Sequence, residues 1–148
     1  MIGILLITHG TFGESLIQNI CHVLNKRPPL IGQLGVAAQD DPLDILPMAK
    51  LLLKEVDEGD GVLILTDILG ATPANLALKL LDPGRIECVA GASLPMLLRA
   101  ICYASLPLHD LEQCALTGGQ QGMFAVDFAT GAPVCTLLPA AAVSTESS

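Results

Sequence analysis

The chain has 148 residues and a net charge of −8, and 51% of its residues are hydrophobic although it contains no Trp, one Tyr and three Phe. This length fits one domain with a substantial core, which must be built from aliphatic side chains. The seven Lys and Arg residues are scattered, which argues against nucleic acid or an anionic membrane as partner. Its apolar runs are strand-sized, far below the roughly 20 residues of a spanning helix. Because the first residues also lack the basic segment of a signal peptide, we expect a cytoplasmic protein.

Strand and helix signals alternate in the first half of the chain. An apolar run over residues 2–8 predicts a first strand, and Thr11 with Glu14 then matches the capping box that starts a helix. A second strand is predicted over residues 30–37. Asp41-Pro42 is typical of the next helix start, because an acidic cap is followed by Pro at the first helical position.

The alternation continues through the second half. Two further strands are predicted over residues 62–67 and 85–91, and weaker β-prone pieces over 123–128 and 134–138. The intervening helices are predicted to begin at Thr72-Pro73, to run over 94–103 behind a Ser93 cap, and to run over 106–116 until Thr117-Gly118-Gly119 ends the last helix.

Strands that alternate with helices in this way form βαβ units, so the sheet should be mainly parallel. We predict an α/β fold of the flavodoxin-like class, with strand order 2-1-3-4, helices on both faces and a fifth strand at one edge. A single domain over residues 1–138 should precede a disordered tail at 139–148. Because an apolar strand at 134–138 would be an exposed edge in a monomer, we also expect a homodimer or larger assembly.

Two side chains at strand ends are the candidates for chemistry. His9 stands at the carboxyl end of strand 1 and Asp67 at the carboxyl end of strand 3. The predicted strand order makes these strands neighbours, with both ends at the ligand-binding edge of the sheet. A carboxylate bonded to one imidazole nitrogen leaves the other nitrogen as a nucleophile. After Asp67 come Gly70, Ala71 and Thr72, where Gly lets the backbone approach a ligand and Thr72 is expected to cap a helix whose amino end attracts anions. The placement of His9 and Asp67 at neighbouring strand ends predicts a functional site, but it does not identify the reaction.

Three segments resemble a known family, the IIA components (EIIA) of the mannose-family phosphoenolpyruvate-dependent sugar phosphotransferase system (PTS). Residues 2–10 read IGILLITHG and resemble the amino terminus of those proteins. Residues 62–75, VLILTDILGATPAN, and 89–97, VAGASLPML, resemble their second and third signatures. The sequence departs from the family pattern at Ala71, where a second Gly is usual, and at Ser93, where Asn is common.

The resemblance implies a role for each candidate residue. His9 would accept a phosphoryl group from phospho-HPr and pass it to a IIB component, in sugar uptake or its regulation. Asp67 would pair with His9, and Gly70, Ala71 and Thr72 would lie beside the phosphoryl group. The resemblance also implies a flavodoxin-like α/β fold and a homodimer that exchanges its carboxyl-terminal strand.

Other functions remain open at this point. A histidine phosphatase or mutase usually needs an Arg beside the acceptor His, where this chain has Thr8. A IIA-like subunit of a dihydroxyacetone kinase would share the fold and the acceptor, although that branch tends to have Ser in place of Gly10. A non-catalytic regulatory module that senses the phosphorylation state of a partner is the third alternative.

The remaining reactive residue types carry weaker signals. Five Cys without a C-x-x-C pair and three dispersed His predict free thiols, no metal site and no cofactor. We expect His22 and His109 to be structural or surface residues. Met48, Met96 and Met123 are ordinary candidates for the core.

Overall fold

Four strands and five helices make up residues 1–131, the part of the chain that the computed structural model describes. In chain order the elements are β1 (Gly3–His9), α1 (Phe12–Leu24), β2 (Ile31–Val36), α2 (Pro42–Val56), β3 (Val62–Thr66), α3 (Thr72–Leu78), β4 (Ile86–Ala90), α4 (Leu94–Cys102) and α5 (Leu108–Gln121). All strand pairs are parallel, in the order β2-β1-β3-β4. This confirms the predicted flavodoxin-like class and strand order. The strand predicted at 134–138 and the tail at 139–148 lie outside the described residues.

The sheet is buried on both faces, which is why its central strands are continuous apolar runs. Successive side chains of β1 point to opposite faces, so Ile4 and Leu6 pack with α1, α4 and α5. Leu5 and Ile7 pack with residues of α2 and α3 in a second cluster. The strand order places β1 and β3 in the middle of the sheet, and their parallel pairing leaves their carboxyl ends at a common edge.

Two predicted helix starts are confirmed by their hydrogen bonds. The Asp41 carboxylate accepts a hydrogen bond from the backbone N–H of Leu43 at 2.9 Å, directly before α2. The Ser93 hydroxyl accepts one from the N–H of Met96 at 3.3 Å, directly before α4. In both cases the side chain satisfies an N–H that has no partner within its own helix.

The predicted end of α5 is wrong, because the helix continues through Gly118 and Gly119 to Gln121. A Cβ atom at Gly118 would lie 2.5 Å from the Cβ of Arg99, and one at Gly119 would lie 2.8 Å from the Cε of Met96. The two glycines therefore allow α4 to pack directly against the backbone of α5. This close packing offsets the low helix propensity of glycine, which costs about 1 kcal/mol per residue.

Beyond α5, residues 122–131 run through turns and irregular backbone. The β-prone piece predicted over residues 123–128 forms no strand, although Val126 takes part in one bridge. Phe124 and Phe128 are exposed on this segment.

Exposure corrects two of the core predictions. Met96 is buried, but Met48 and Met123 are 50% and 76% exposed. His22 and His109 are exposed on α1 and α5, in agreement with the expected surface role. Of the helices in residues 1–131, none combines the length and the apolar character needed to cross a membrane.

The cysteines of residues 1–131 are all free thiols. Cys102 is exposed, and the other three are partly buried. Burial, the larger effect, and the nearby Glu112 carboxylate raise the pKa of Cys88 to about 12.

Candidate active site

The carboxyl ends of β1 and β3 bring His9 and Asp67 together. The two strands are direct neighbours, with Ile7 opposite Thr66 in the register. His9 is the last residue of β1, and Asp67 is the first residue after β3. As a result, His9 Nδ1 lies 2.8 Å from Asp67 Oδ2.

Three hydrogen bonds hold the Asp67 carboxylate. Its Oδ2 accepts from the backbone N–H of His9 at 2.9 Å as well as contacting Nδ1, and its Oδ1 accepts from the N–H of Ile68 at 2.9 Å. Since a carboxylate oxygen can only accept, Nδ1 of the neutral ring must carry the proton. The lone pair then lies on Nε2, which no hydrogen bond reaches from residues 1–131. The Asp67 side chain is 16% exposed and that of His9 is 50% exposed, so the ring is accessible to solvent.

Two opposing effects act on the pKa of Asp67. Partial burial is the largest single effect and raises it, but the hydrogen bonds from the His9 N–H, the His9 ring and Ile68 together outweigh burial. The net result is a pKa below the ordinary value for an aspartate. Asp67 is therefore ionised at neutral pH, and its negative charge lies directly beside the His9 ring.

The turn after His9 is held against β2. Gly10 has a φ of +50°, a conformation that side-chain-bearing residues rarely adopt, and its N–H donates to the carbonyl of Val36 at 2.9 Å. A Cβ atom at Gly35 would lie 2.1 Å from the carbonyl oxygen of Gly10. Glycine at both positions thus permits the close approach that fixes the turn.

Thr8 holds the other side of this turn, in a role that the sequence reasoning assigned to Thr11. Thr8 is fully buried, and its Oγ1 accepts a hydrogen bond from the N–H of Gly13 at 2.8 Å. Thr11 precedes α1 but makes no side-chain cap bond, because its ψ of 10° differs from the extended backbone usual for a capping residue. The predicted capping box is therefore wrong. The sequence did contain one signal for this role, since Thr8 is a hydroxyl residue directly before the His at the end of the strand.

The loop after Asp67 carries the predicted phosphate-binding residues. Gly70 is exposed with a φ of +91°, and Ala71 and Thr72 are partly buried. The predicted Thr72 cap is wrong, since Ala71 occupies the cap position and Thr72 is the first residue of the seven-residue α3. Pro73 follows within the first turn, where its missing N–H costs little.

Sequence reasoning missed an apolar rim beside the paired side chains, formed by Phe12, Ile68 and Leu69. These residues are 40%, 59% and 75% exposed. Residues 1–25 and 55–78, which carry the site and the rim, contain no Lys or Arg. Exposed apolar residues therefore flank His9 and Asp67 in the sequence, and basic residues do not.

Comparison with known proteins identifies the family. The family described as EIIA-man, PTS system fructose IIA component, matches residues 3–115. The chain belongs to this family. Among solved structures, the fold is similar to the PTS component EIIA from Streptococcus agalactiae, with a TM-score of 0.73, 25% identity, and coverage of 88% of this chain and 99% of that one. It is also similar to the mannose/sorbose-specific IIA subunit from Enterococcus faecalis, with a TM-score of 0.76, 22% identity, and coverage of 86% and 96%.

Two curated relatives are longer proteins that contain a region similar to this EIIA-man chain. The mannose-specific EIIAB component of the PTS from Escherichia coli K12 is 25% identical over 128 residues, which are 84% of this chain and 39% of that protein. The transcriptional regulatory protein LevR from Bacillus subtilis is 30% identical over 120 residues, which are 76% of this chain and 12% of that protein. The chain thus spans well under half the length of these relatives.

Proposed function

We propose that this EIIA-man chain accepts a phosphoryl group from phospho-HPr on His9 Nε2 and passes it to a IIB component. The observation that carries the proposal is the 2.8 Å contact between His9 Nδ1 and Asp67 Oδ2. That contact directs the lone pair to the exposed nitrogen, as a nucleophile requires.

In the proposed transfer, the Nε2 lone pair attacks phosphorus. A bond from Nε2 to phosphorus forms while the bond from phosphorus to the donor breaks, and the donor keeps that electron pair. The Nδ1 proton stays on the ring, hydrogen-bonded to Asp67, so the phosphorylated imidazole is cationic beside a carboxylate. Discharge to the IIB component repeats the exchange in the opposite sense, with the acceptor's nucleophile attacking phosphorus and Nε2 leaving.

We further propose that the backbone N–H groups of Gly70, Ala71 and Thr72 contact the phosphoryl oxygens. These residues follow Asp67 in the chain, and Gly70 is exposed. No basic residue lies in residues 55–78, so the loop backbone is the available source of local donors.

The apolar rim of Phe12, Ile68 and Leu69 would contact the protein donor and acceptor. The two partners must reach the same nitrogen, so they would use this surface in turn. The proposed setting is the cytoplasm, and the proposed assembly is a homodimer.

Labelling with phosphoenolpyruvate, enzyme I and HPr tests the proposal. The parent chain should gain one phosphate that is labile to acid and stable to base, as a phosphohistidine behaves. His9→Ala should abolish the label, because it removes the nucleophile. His22→Ala and His109→Ala are matched controls on exposed histidines and should label normally.

Three results would count against the proposal. If His9→Ala were fully labelled and His109→Ala were not, the phosphoryl acceptor would be His109 and not His9. Absence of label on the parent with every phospho-HPr tried would favour the regulatory module. If the labelled parent chain passed its phosphoryl group to a dihydroxyacetone kinase and to no IIB component, the result would favour a IIA-like subunit of that kinase.

A further inference from the structure

A concave surface lies between α4 and α5. We call it the α4–α5 groove, and it is lined by residues that include Pro95, Leu98, Arg99, Tyr103 and Gln121. Its volume is about 360 Å³, within the range of about 300–1,000 Å³ found for small-molecule sites. It shares no lining residue with the His9 and Asp67 pair.

Glycines at the carboxyl end of α5 let α4 approach the backbone closely beside this groove. A Cβ atom at Gly118 would lie 2.5 Å from Arg99 Cβ, and one at Gly122 would lie 2.4 Å from Pro95 Cβ. The glycines lie one helical turn apart, so the two helices touch here without side chains between them. Both glycines line the groove, which therefore has a backbone floor on the α5 side.

The polar groups of the groove are hydrogen-bond donors. Arg99 Nη2 donates to Gln121 Oε1 at 3.2 Å, which leaves the other guanidinium N–H groups and the Gln121 amide N–H groups for a ligand. The phenol of Tyr103 adds a further donor. Within residues 1–131, no Asp or Glu lines the groove.

Arg99 is the one Lys or Arg of this acidic chain that is partly buried, whereas the other six are exposed. Arg85, for comparison, forms an ion pair with Asp57 at 2.8 Å. Arg99 forms no ion pair within residues 1–131, although the whole chain has 15 acidic and seven basic residues. A partly buried guanidinium normally pairs with an anion, so the local charge favours an external one.

We infer that the α4–α5 groove binds a small organic carboxylate. The planar guanidinium of Arg99 matches both carboxylate oxygens, and the apolar part of the ligand would lie against Pro95 and Leu98. This is a binding site in addition to the phosphoryl acceptor at His9.

Titration of the full chain with propanoate, followed by amide NMR, tests the inference. The Gly118 and Gly122 resonances should shift and saturate with a Kd of about 1 mM or lower. Arg99→Gln should weaken binding at least about tenfold, because it removes the charge and the fork of donors. Lys79→Gln is the matched control, since it changes the net charge equally at an exposed position outside the groove, and it should bind like the parent.

Arg99→Lys is a second variant of the same side chain, and it tests the inference even if Arg99→Gln fails to fold. It keeps the charge but loses the bidentate geometry, so its affinity should also fall below that of the parent. The inference is overturned if the parent shows no saturable shift up to about 50 mM propanoate. Equal binding of 1-propanol or equal weakening by Lys79→Gln would overturn it too. Binding of inorganic phosphate without binding of propanoate would overturn the carboxylate assignment.

Discussion

One oxygen of Asp67, Oδ2, accepts hydrogen bonds from both the Nδ1 and the backbone N–H of His9, at 2.8 and 2.9 Å. The ring and the backbone of His9 are therefore oriented by the same atom. Removal of this carboxylate would take away both the contact that fixes the tautomer of the ring and the contact that holds its backbone at the end of β1.

We predict that Asp67→Asn slows phosphoryl transfer to His9 by roughly 100-fold or more, because the charge that stabilises the cationic ring is lost. The rate of labelling in quenched-flow experiments measures this. Asp57→Asn, which breaks the Arg85 ion pair, is the control and should transfer at the parent rate. Parent-like transfer by Asp67→Asn would contradict the role of the carboxylate.

The lowered pKa of Asp67 predicts a pH-dependent contribution to stability. Because the folded pKa lies below that of the unfolded chain, the stabilisation is complete above the unfolded pKa of about 3.9 and is lost as pH falls through the folded pKa. The difference in unfolding free energy between the parent and Asp67→Asn should therefore shrink below about pH 4. Urea denaturation at a series of pH values measures it, and a difference that stays constant down to pH 3 would refute the linkage.

We predict that Thr8→Val destabilises the fold by about 1–3 kcal/mol, because the buried N–H of Gly13 loses its acceptor. Thr8→Ser keeps the hydroxyl and should retain most of the stability. The same hydrogen bond holds the turn after His9, so labelling of Thr8→Val should also be slower. Equal urea midpoints for the Val and Ser variants would show that the bond contributes little.

Two glycines of β2 form a matched pair for the next prediction. Gly35→Ala should cost about 1–3 kcal/mol, because its Cβ would lie 2.1 Å from the carbonyl oxygen of Gly10. At Gly32 the nearest atom would be Val56 Cγ1 at 3.4 Å, an ordinary contact, so Gly32→Ala should be tolerated. Thermal unfolding of both variants measures the difference. Similar melting temperatures would mean that β2 does not constrain the turn.

Thiol reactivity should follow exposure and pKa. Iodoacetamide at pH 8 should modify the exposed Cys102 well before Cys88, because burial raises the pKa of Cys88 to about 12 and the thiolate is the reactive form. Mass spectrometry of the labelled peptides measures the order of modification. Faster labelling of Cys88 would indicate that β4 is less protected than its packing implies.

Much of the site follows from the sequence alone. Alternating strand and helix signals require parallel strands, and parallel strands end at a common edge. His9 and Asp67, at the carboxyl ends of strands 1 and 3, were therefore expected to meet. The starts of α2 and α4 could also be predicted from the sequence, because Asp41 and Ser93 cap these helices through local hydrogen bonds.

The approach of elements distant in sequence was decided by the tertiary structure. Thr8 replaces Thr11 at the start of α1 because the end of a buried strand places its hydroxyl beside Gly13. Gly118 and Gly119 continue α5 because α4 packs against them, although glycine pairs usually end helices. Residue patterns encode local backbone preference and the periodicity of burial, whereas such contacts depend on which surfaces meet once the sheet is assembled.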